Sequence, residues 1–105
     1  MIKQLWILGA LGLAFSHAQA ATPDEAMNKA GCMACHAKDK KVVGPAFKDI
    51  ASKYKGDKEA VAKLSDKVRK GGSGVWGPIP MPPNAAEKIS DADLKASVEQ
   101  ILKTQ

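Results

Sequence analysis

The sequence predicts an all-α domain of about four short helices gathered around one bound group. Two observations carry the fold class. Apolar residues recur at helical spacing between Ala46 and Leu102, and no stretch alternates apolar and polar residues as a half-buried strand would. A third observation, the run Cys32-Met33-Ala34-Cys35-His36, indicates what the helices surround.

Residues 1–20 precede that domain and read as a cleaved secretory signal. Lys3 supplies a basic start, Leu5 to Phe15 an apolar stretch, and Ala18-Gln19-Ala20 an A-x-A cleavage site. The apolar stretch is well short of the roughly 20 residues that span a bilayer, so stable membrane insertion is not expected. Cleavage after Ala20 leaves a single domain of residues 21–105, exported in the bacterial manner to the periplasm. A chain of this size buries little apolar surface unaided and needs a staple. Its aromatic residues are Phe47, Tyr54 and Trp76 alone, a thin core without a cofactor.

The first helix opens at Pro23-Asp24-Glu25, with proline in the first turn and acids at the positive end of the helix dipole. It runs towards the cysteines, with Met27 on the same helix as the motif and packed in the core. Lys38 to Pro45 is polar, ends in Gly44-Pro45 and reads as a loop. Ala46 to about Lys55 forms the second helix, placing Phe47, Ile50, Ala51 and Tyr54 on one face. Lys58 to Lys70 forms the third, with Val61, Leu64 and Val68 at helical spacing and Gly71-Gly72 as its stop. Gly71 to Asn84, rich in glycine and proline, is a second loop. Ser90-Asp91-Ala92-Asp93 resembles a capping box and opens the last helix, whose face is Leu94, Val98, Ile101 and Leu102.

C-x-x-C-H is the attachment pattern of a c-type haem. Two thiols three positions apart can each add to one vinyl group of the porphyrin. The imidazole that follows is then placed to bind the iron, so Cys32 and Cys35 are the tethers and His36 an axial ligand. A zinc site needs about four protein ligands, and this chain has two cysteines in all. A thioredoxin-like pair would accompany a βαβ pattern that is missing here. A local disulfide would leave His36 unexplained.

Its other histidine, His17, leaves with the signal. The sixth iron ligand is therefore methionine, a less usual group such as lysine, or nothing. Met33 lies inside the attachment turn and Met27 just before it. Met81 lies in Gly77-Pro78-Ile79-Pro80-Met81-Pro82-Pro83-Asn84, framed by four prolines. Prolines restrict the backbone, so such a loop loses little entropy in closing over a haem and helps hold a weak thioether donor. The competing readings are a rigid surface turn or a proline-rich docking segment, with Met81 as gap filler.

The order of these features resembles the class I cytochromes c, and among them the small bacterial c551/c552 (c8) type. The matching pieces are Gly31-Cys32-Met33-Ala34-Cys35-His36, Val43-Gly44-Pro45-Ala46-Phe47 and Gly74 to Asn84. The resemblance implies the small cytochrome c fold, helices wrapped around one covalently bound haem c, with His36 and Met81 as axial ligands. It further implies that the Pro45 carbonyl accepts from Nδ1–H of His36, that Trp76 lies near the haem propionates, and that Asn84 sits near the methionine sulfur. Lys67 stands where the family often carries an arginine towards a propionate, and lysine lacks the planar fork of that residue.

An iron with both axial positions filled has no open site for substrate. The expected role is accordingly a periplasmic one-electron carrier and not an enzyme. It would run from a respiratory-chain donor to a terminal reductase or oxidase, such as nitrite reductase. The alternative is a five-coordinate haem protein that binds a small gas or reduces peroxide, which requires Met81 off the iron. Of the 16 basic residues only Lys3 falls in the signal, against 11 acidic residues, so residues 21–105 keep a net positive charge. Lys38, Lys40 and Lys41 could ring an exposed haem edge and steer a redox protein with an acidic docking surface. The basic residues are dispersed and carry no nucleic-acid motif. The expected state is a monomer.

Overall fold

The computed structural model describes residues 21–105; the expected signal segment and its expected cleavage site lie outside the described residues. Four helices form in the predicted order: α1 (Pro23–Ala30), α2 (Phe47–Lys53), α3 (Ala60–Lys70) and α4 (Asp91–Leu102). No described helix is long and apolar enough to cross a membrane.

Each helix begins and ends for a local reason. Thr22 caps α1 by accepting from the Glu25 amide at 3.2 Å, and Gly31 ends it in the left-handed conformation at φ 87°. That stop corrects one expectation: the cysteine motif is not on the helix of Met27 but on a separate 3-10 turn, Cys32–Ala34. Ser90 caps α4 by accepting from the Asp93 amide at 3.2 Å, as the capping pattern implied. Helix α2 is trimmed at both ends relative to the expected Ala46–Lys55, with extended Ala46 as its N-cap. The expected Lys58 start of α3 moves to Ala60. Asp57 stands before it, accepting from the Glu59 amide and from Lys63 Nζ, each at 2.8 Å. Those hydrogen bonds hold the Asp57 carboxyl below its usual range.

Helix α4 packs against α1, α2 and α3 and is the centre of the domain. Its Leu94 and Val98 join Ala26 of α1 and Ile89 in one buried cluster, while Met27, Phe47 and Ile50 form a second. Met27 is thus a core residue, as expected. A side chain as fully buried as Val98 contributes about 1.5–3 kcal/mol. Both clusters are small, and neither fills the space between the helices.

The stretch from Gly71 to Asn84 is the main departure from the sequence reading. It holds a two-stranded antiparallel hairpin, β1 (Gly72–Gly74) against β2 (Gly77–Met81), pairing Gly72 with Met81 and Gly74 with Gly77. Glycine and proline argue against strand in sequence, yet here they suit a narrow ribbon. Pro78 and Pro80 alternate with Ile79 and Met81, so their missing N–H groups need face only one edge.

Candidate functional site

The attachment turn is built tightly. The amides of Cys35 and His36 both donate to the Cys32 carbonyl, at 3.2 and 3.1 Å, which folds the motif into one turn and leaves both thiols half-buried. Burial pushes the Cys32 thiol above its ordinary value, with the neighbouring Cys35 adding to the effect.

The loop 38–45 is then laid against this turn. Gly44 and Val43 donate their amides to the Cys35 carbonyl at 2.7 and 3.2 Å, and Phe47 donates to Ala37 at 2.9 Å. One consequence is chemical. The Pro45 carbonyl lies 2.8 Å from Nδ1 of His36, the contact implied by the resemblance. Nδ1–H donates to it, which fixes the tautomer and leaves Nε2 as the nitrogen for a metal. The ring also stacks on Phe47, with centroids 5.4 Å apart and planes 21° apart. Gly44 passes so close that a Cβ there would lie 2.6 Å from His36 Cε1. The imidazole is held by a hydrogen bond, a stack and a glycine backbone together.

Met81 reaches the site by a different route. It is the last residue of β2, and the hairpin returns to α3 through Gly71, whose φ of 68° suits only glycine. A Cβ at Gly71 would collide with the Met81 carbonyl. Beyond Met81, the Asn84 side chain donates to the carbonyls of Pro82 (3.1 Å) and Val68 (3.3 Å), and its amide donates to Val68 at 3.0 Å. Buried Asn84 is therefore engaged with the backbone on either side of the Met81 loop.

Cys32, Cys35, His36 and Met81 line one cleft, partly open to solvent. Its walls are almost wholly apolar, including Met27, Leu64, Val68, Leu94, Ile79 and Trp76. Trp76 is 43 % exposed, too open for a packed core residue, and stands at the cleft with Lys53 Nζ 5.7 Å from its ring centroid. Lys67 lines the same cleft. A flat apolar group with polar edges fits this donor set and these walls: thiols and an imidazole on one turn, a thioether on the hairpin, and charge at the rim.

Three features escaped sequence reasoning. Arg69 donates to two backbone carbonyls and to Asp91, drawing α3, the Met81 loop and α4 together. Lys53 caps the Trp76 ring. Ser97 lies on the apolar face of α4, 2 % exposed, and lines the cleft with its hydroxyl unpartnered. Only Ser97 had a signal in the sequence, a hydroxyl three residues after Leu94 on the core face. An unpartnered buried hydroxyl costs about 1–3 kcal/mol, and alanine is the better helix former. Ser97→Ala is expected to raise the melting temperature of the haem-loaded protein by roughly 4–8 °C, the equivalent of about 1 kcal/mol. A thermal melt that stays level or falls would show that the hydroxyl has a partner there.

Comparison with known proteins agrees with this geometry. The sequence matches the cytochrome c family over residues 20–105. It is 54 % identical over 74 residues to cytochrome c-552 of Nitrosomonas europaea, covering 70 % of each chain. It is 46 % identical over 85 residues to cytochrome c-551 of Pseudomonas aeruginosa, covering 81 % of this chain and 79 % of that one. The crystal structure of the wild-type Nitrosomonas europaea cytochrome c552 superposes with a TM-score of 0.73 at 49 % identity, over 78 % of this chain and 99 % of the other.

Proposed function

The chain belongs to the cytochrome c family, within it the small c551/c552 type, and on that premise we propose that it is a periplasmic one-electron carrier whose single haem c has His36 and Met81 as axial ligands. When bound, haem c supplies the Fe(II)/Fe(III) couple. Cys32 and Cys35 anchor it through thioethers. The Pro45 carbonyl orients His36 and raises its basicity, so the Nε2 lone pair is aimed and strengthened before any metal arrives. Met81 would supply the second side-chain ligand, and methionine–histidine ligation would raise the reduction potential. With His36 and Met81 both holding the metal, no position would be left for a substrate, which suits electron transfer. The observation that carries this reading is that the C-x-x-C-H turn and the proline-framed Met81 line the same apolar cleft.

Absorption spectra of the exported protein, oxidised and then reduced, test it. A c-type spectrum with a weak sulfur-to-ferric-iron band at the red edge is expected. A haem spectrum without that band would move the reading to an open, five-coordinate site, and ready binding of carbon monoxide to the reduced protein would support that outcome.

Partners follow from charge. Lys38, Lys40 and Lys41 are all exposed beside the attachment turn and would meet an acidic docking surface on the donor or on a terminal reductase or oxidase. Such steering is screened within about 10 Å at 0.1 M salt. Electron-transfer rates to the physiological partner are expected to fall about tenfold from low to physiological ionic strength. Rates that stay flat would remove these lysines from the interface.

A further inference from the structure

We propose that Arg69 is the positioning residue that keeps the Met81 loop closed over the iron. This rests on the reading of Met81 as an axial ligand, and the test below separates the two.

The loop that carries Met81 has few ways to hold itself. Pro78, Pro80, Pro82 and Pro83 have no backbone N–H, so the two residues that follow Met81 donate nothing to the rest of the fold. The first backbone donor after Met81 is Asn84. Its amide donates to Val68, and its side chain donates back to Pro82, the residue next to Met81. Gly72 pairs with Met81 on the hairpin side, and beyond it the chain that holds Met81 in place depends on where Asn84 is fixed.

Arg69 fixes it. From the last turn of α3, Nη1 donates to the carbonyl of Asn84 at 3.2 Å and to that of Ile89 at 2.7 Å, and Nη2 donates to Asp91 Oδ1 at 2.6 Å. Ile89 is buried in the core cluster with α4, so the guanidinium ties the end of the Met81 loop to the rigid part of the domain. The planar fork suits this task, because one rigid group meets three acceptors at once. Its three contacts are not equal. Asp91 is 94 % exposed, so that ion pair is weak, whereas the bonds to the two carbonyls lie at partly buried positions. The carbonyl bonds therefore carry the effect.

Imidazole competition on the ferric, haem-loaded protein reads this out. Imidazole displaces a thioether in proportion to how often the loop opens, and loss of the red-edge sulfur–iron band reports it. Arg69→Ala is expected to bind imidazole at least tenfold more tightly than the wild type, and Arg69→Lys about threefold more tightly. Asp91→Asn should stay within twofold of the wild type. Backbone hydrogen exchange at Asn84 should quicken at least tenfold in Arg69→Ala. Leu102→Ala, which weakens packing on the core cluster but removes no cleft residue and none of the Arg69 hydrogen bonds, controls for general loss of stability and should leave imidazole affinity unchanged.

Wild-type imidazole affinity in both Arg69 variants would overturn the proposal, as would an equal gain in Leu102→Ala. If Arg69→Ala does not fold, Arg69→Lys and Asp91→Asn decide alone. Absence of the red-edge band in the wild type would instead remove Met81 from the iron, and this proposal with it.

Discussion

Replacing Met81 with alanine is expected to abolish the red-edge band, open the iron to imidazole and carbon monoxide, and lower the reduction potential. The thioether is a neutral, soft donor that favours the ferrous state over the ferric, so its loss shifts the balance towards Fe(III). For a one-electron couple each tenfold change in relative affinity is about 59 mV, so a hundredfold change would lower the potential by about 120 mV. A fall of at least that size is expected in redox titration. Stability should also decline, by about 2 kcal/mol for a half-buried methionine cut to alanine, the low end for such truncations. Met81→His separates ligation from packing. It should restore a closed iron while keeping the potential low. An Met81→Ala variant with wild-type spectrum and potential would require another ligand.

The same residue shows where sequence reasoning was strong. Four prolines around Met81 mark an unusual loop whatever its conformation, and the structure brings that methionine into the cleft of the C-x-x-C-H turn. Helices α3 and α4 were legible because their apolar residues recur at helical spacing and their ends carry Gly71 and Ser90. Their existence depends on local pattern, and local pattern is written in the sequence. Boundaries were less secure: α2 starts later than expected because Ala46 caps it through extended backbone with no side-chain bond, and α3 because the Asp57 carboxylate turns the chain before it.

What was not legible depends on chain segments that meet only after folding. The hairpin at Gly72–Met81 reads as loop, since its composition disfavours strand and only the pairing of β1 with β2 overrides that preference. Arg69 looks like a solvated lysine-like residue in the last turn of a basic helix. Its partners Asn84, Ile89 and Asp91 lie 15 to 22 positions away, beyond any local pattern. The contact of His36 with Pro45 was expected only through resemblance to a family. Nothing in the spacing of nine residues demands it. Functional geometry here is long-range, whereas the motif that announces it is local.

Gly44→Ala should be nearly as damaging as loss of an iron ligand, although Gly44 touches no reacting atom. The reason is space, not backbone freedom, because Gly44 has no positive φ. An added Cβ would lie 2.6 Å from His36 Cε1 and 3.0 Å from each ring nitrogen, closer than real contacts allow. The ring cannot simply retreat. Phe47 stacks on it, and the Pro45 carbonyl holds Nδ1 at 2.8 Å. Nor can the loop back away cheaply, since the Gly44 amide donates to the Cys35 carbonyl at 2.7 Å beside the second tether. Overpacking of this kind costs about 1–3 kcal/mol, and a lost hydrogen bond adds roughly 0.5–1.5 kcal/mol. For a domain of this size that total corresponds to a melting temperature lower by roughly 10–25 °C. A histidine freed from Pro45 is also a poorer donor, so the potential should move together with the melt. Val42→Ala, at an exposed position on the same loop, should change neither. A Gly44→Ala protein that melts like the wild type would mean the loop yields more readily than its hydrogen bonds imply, and His36 would owe its orientation to the tethers at Cys32 and Cys35 instead.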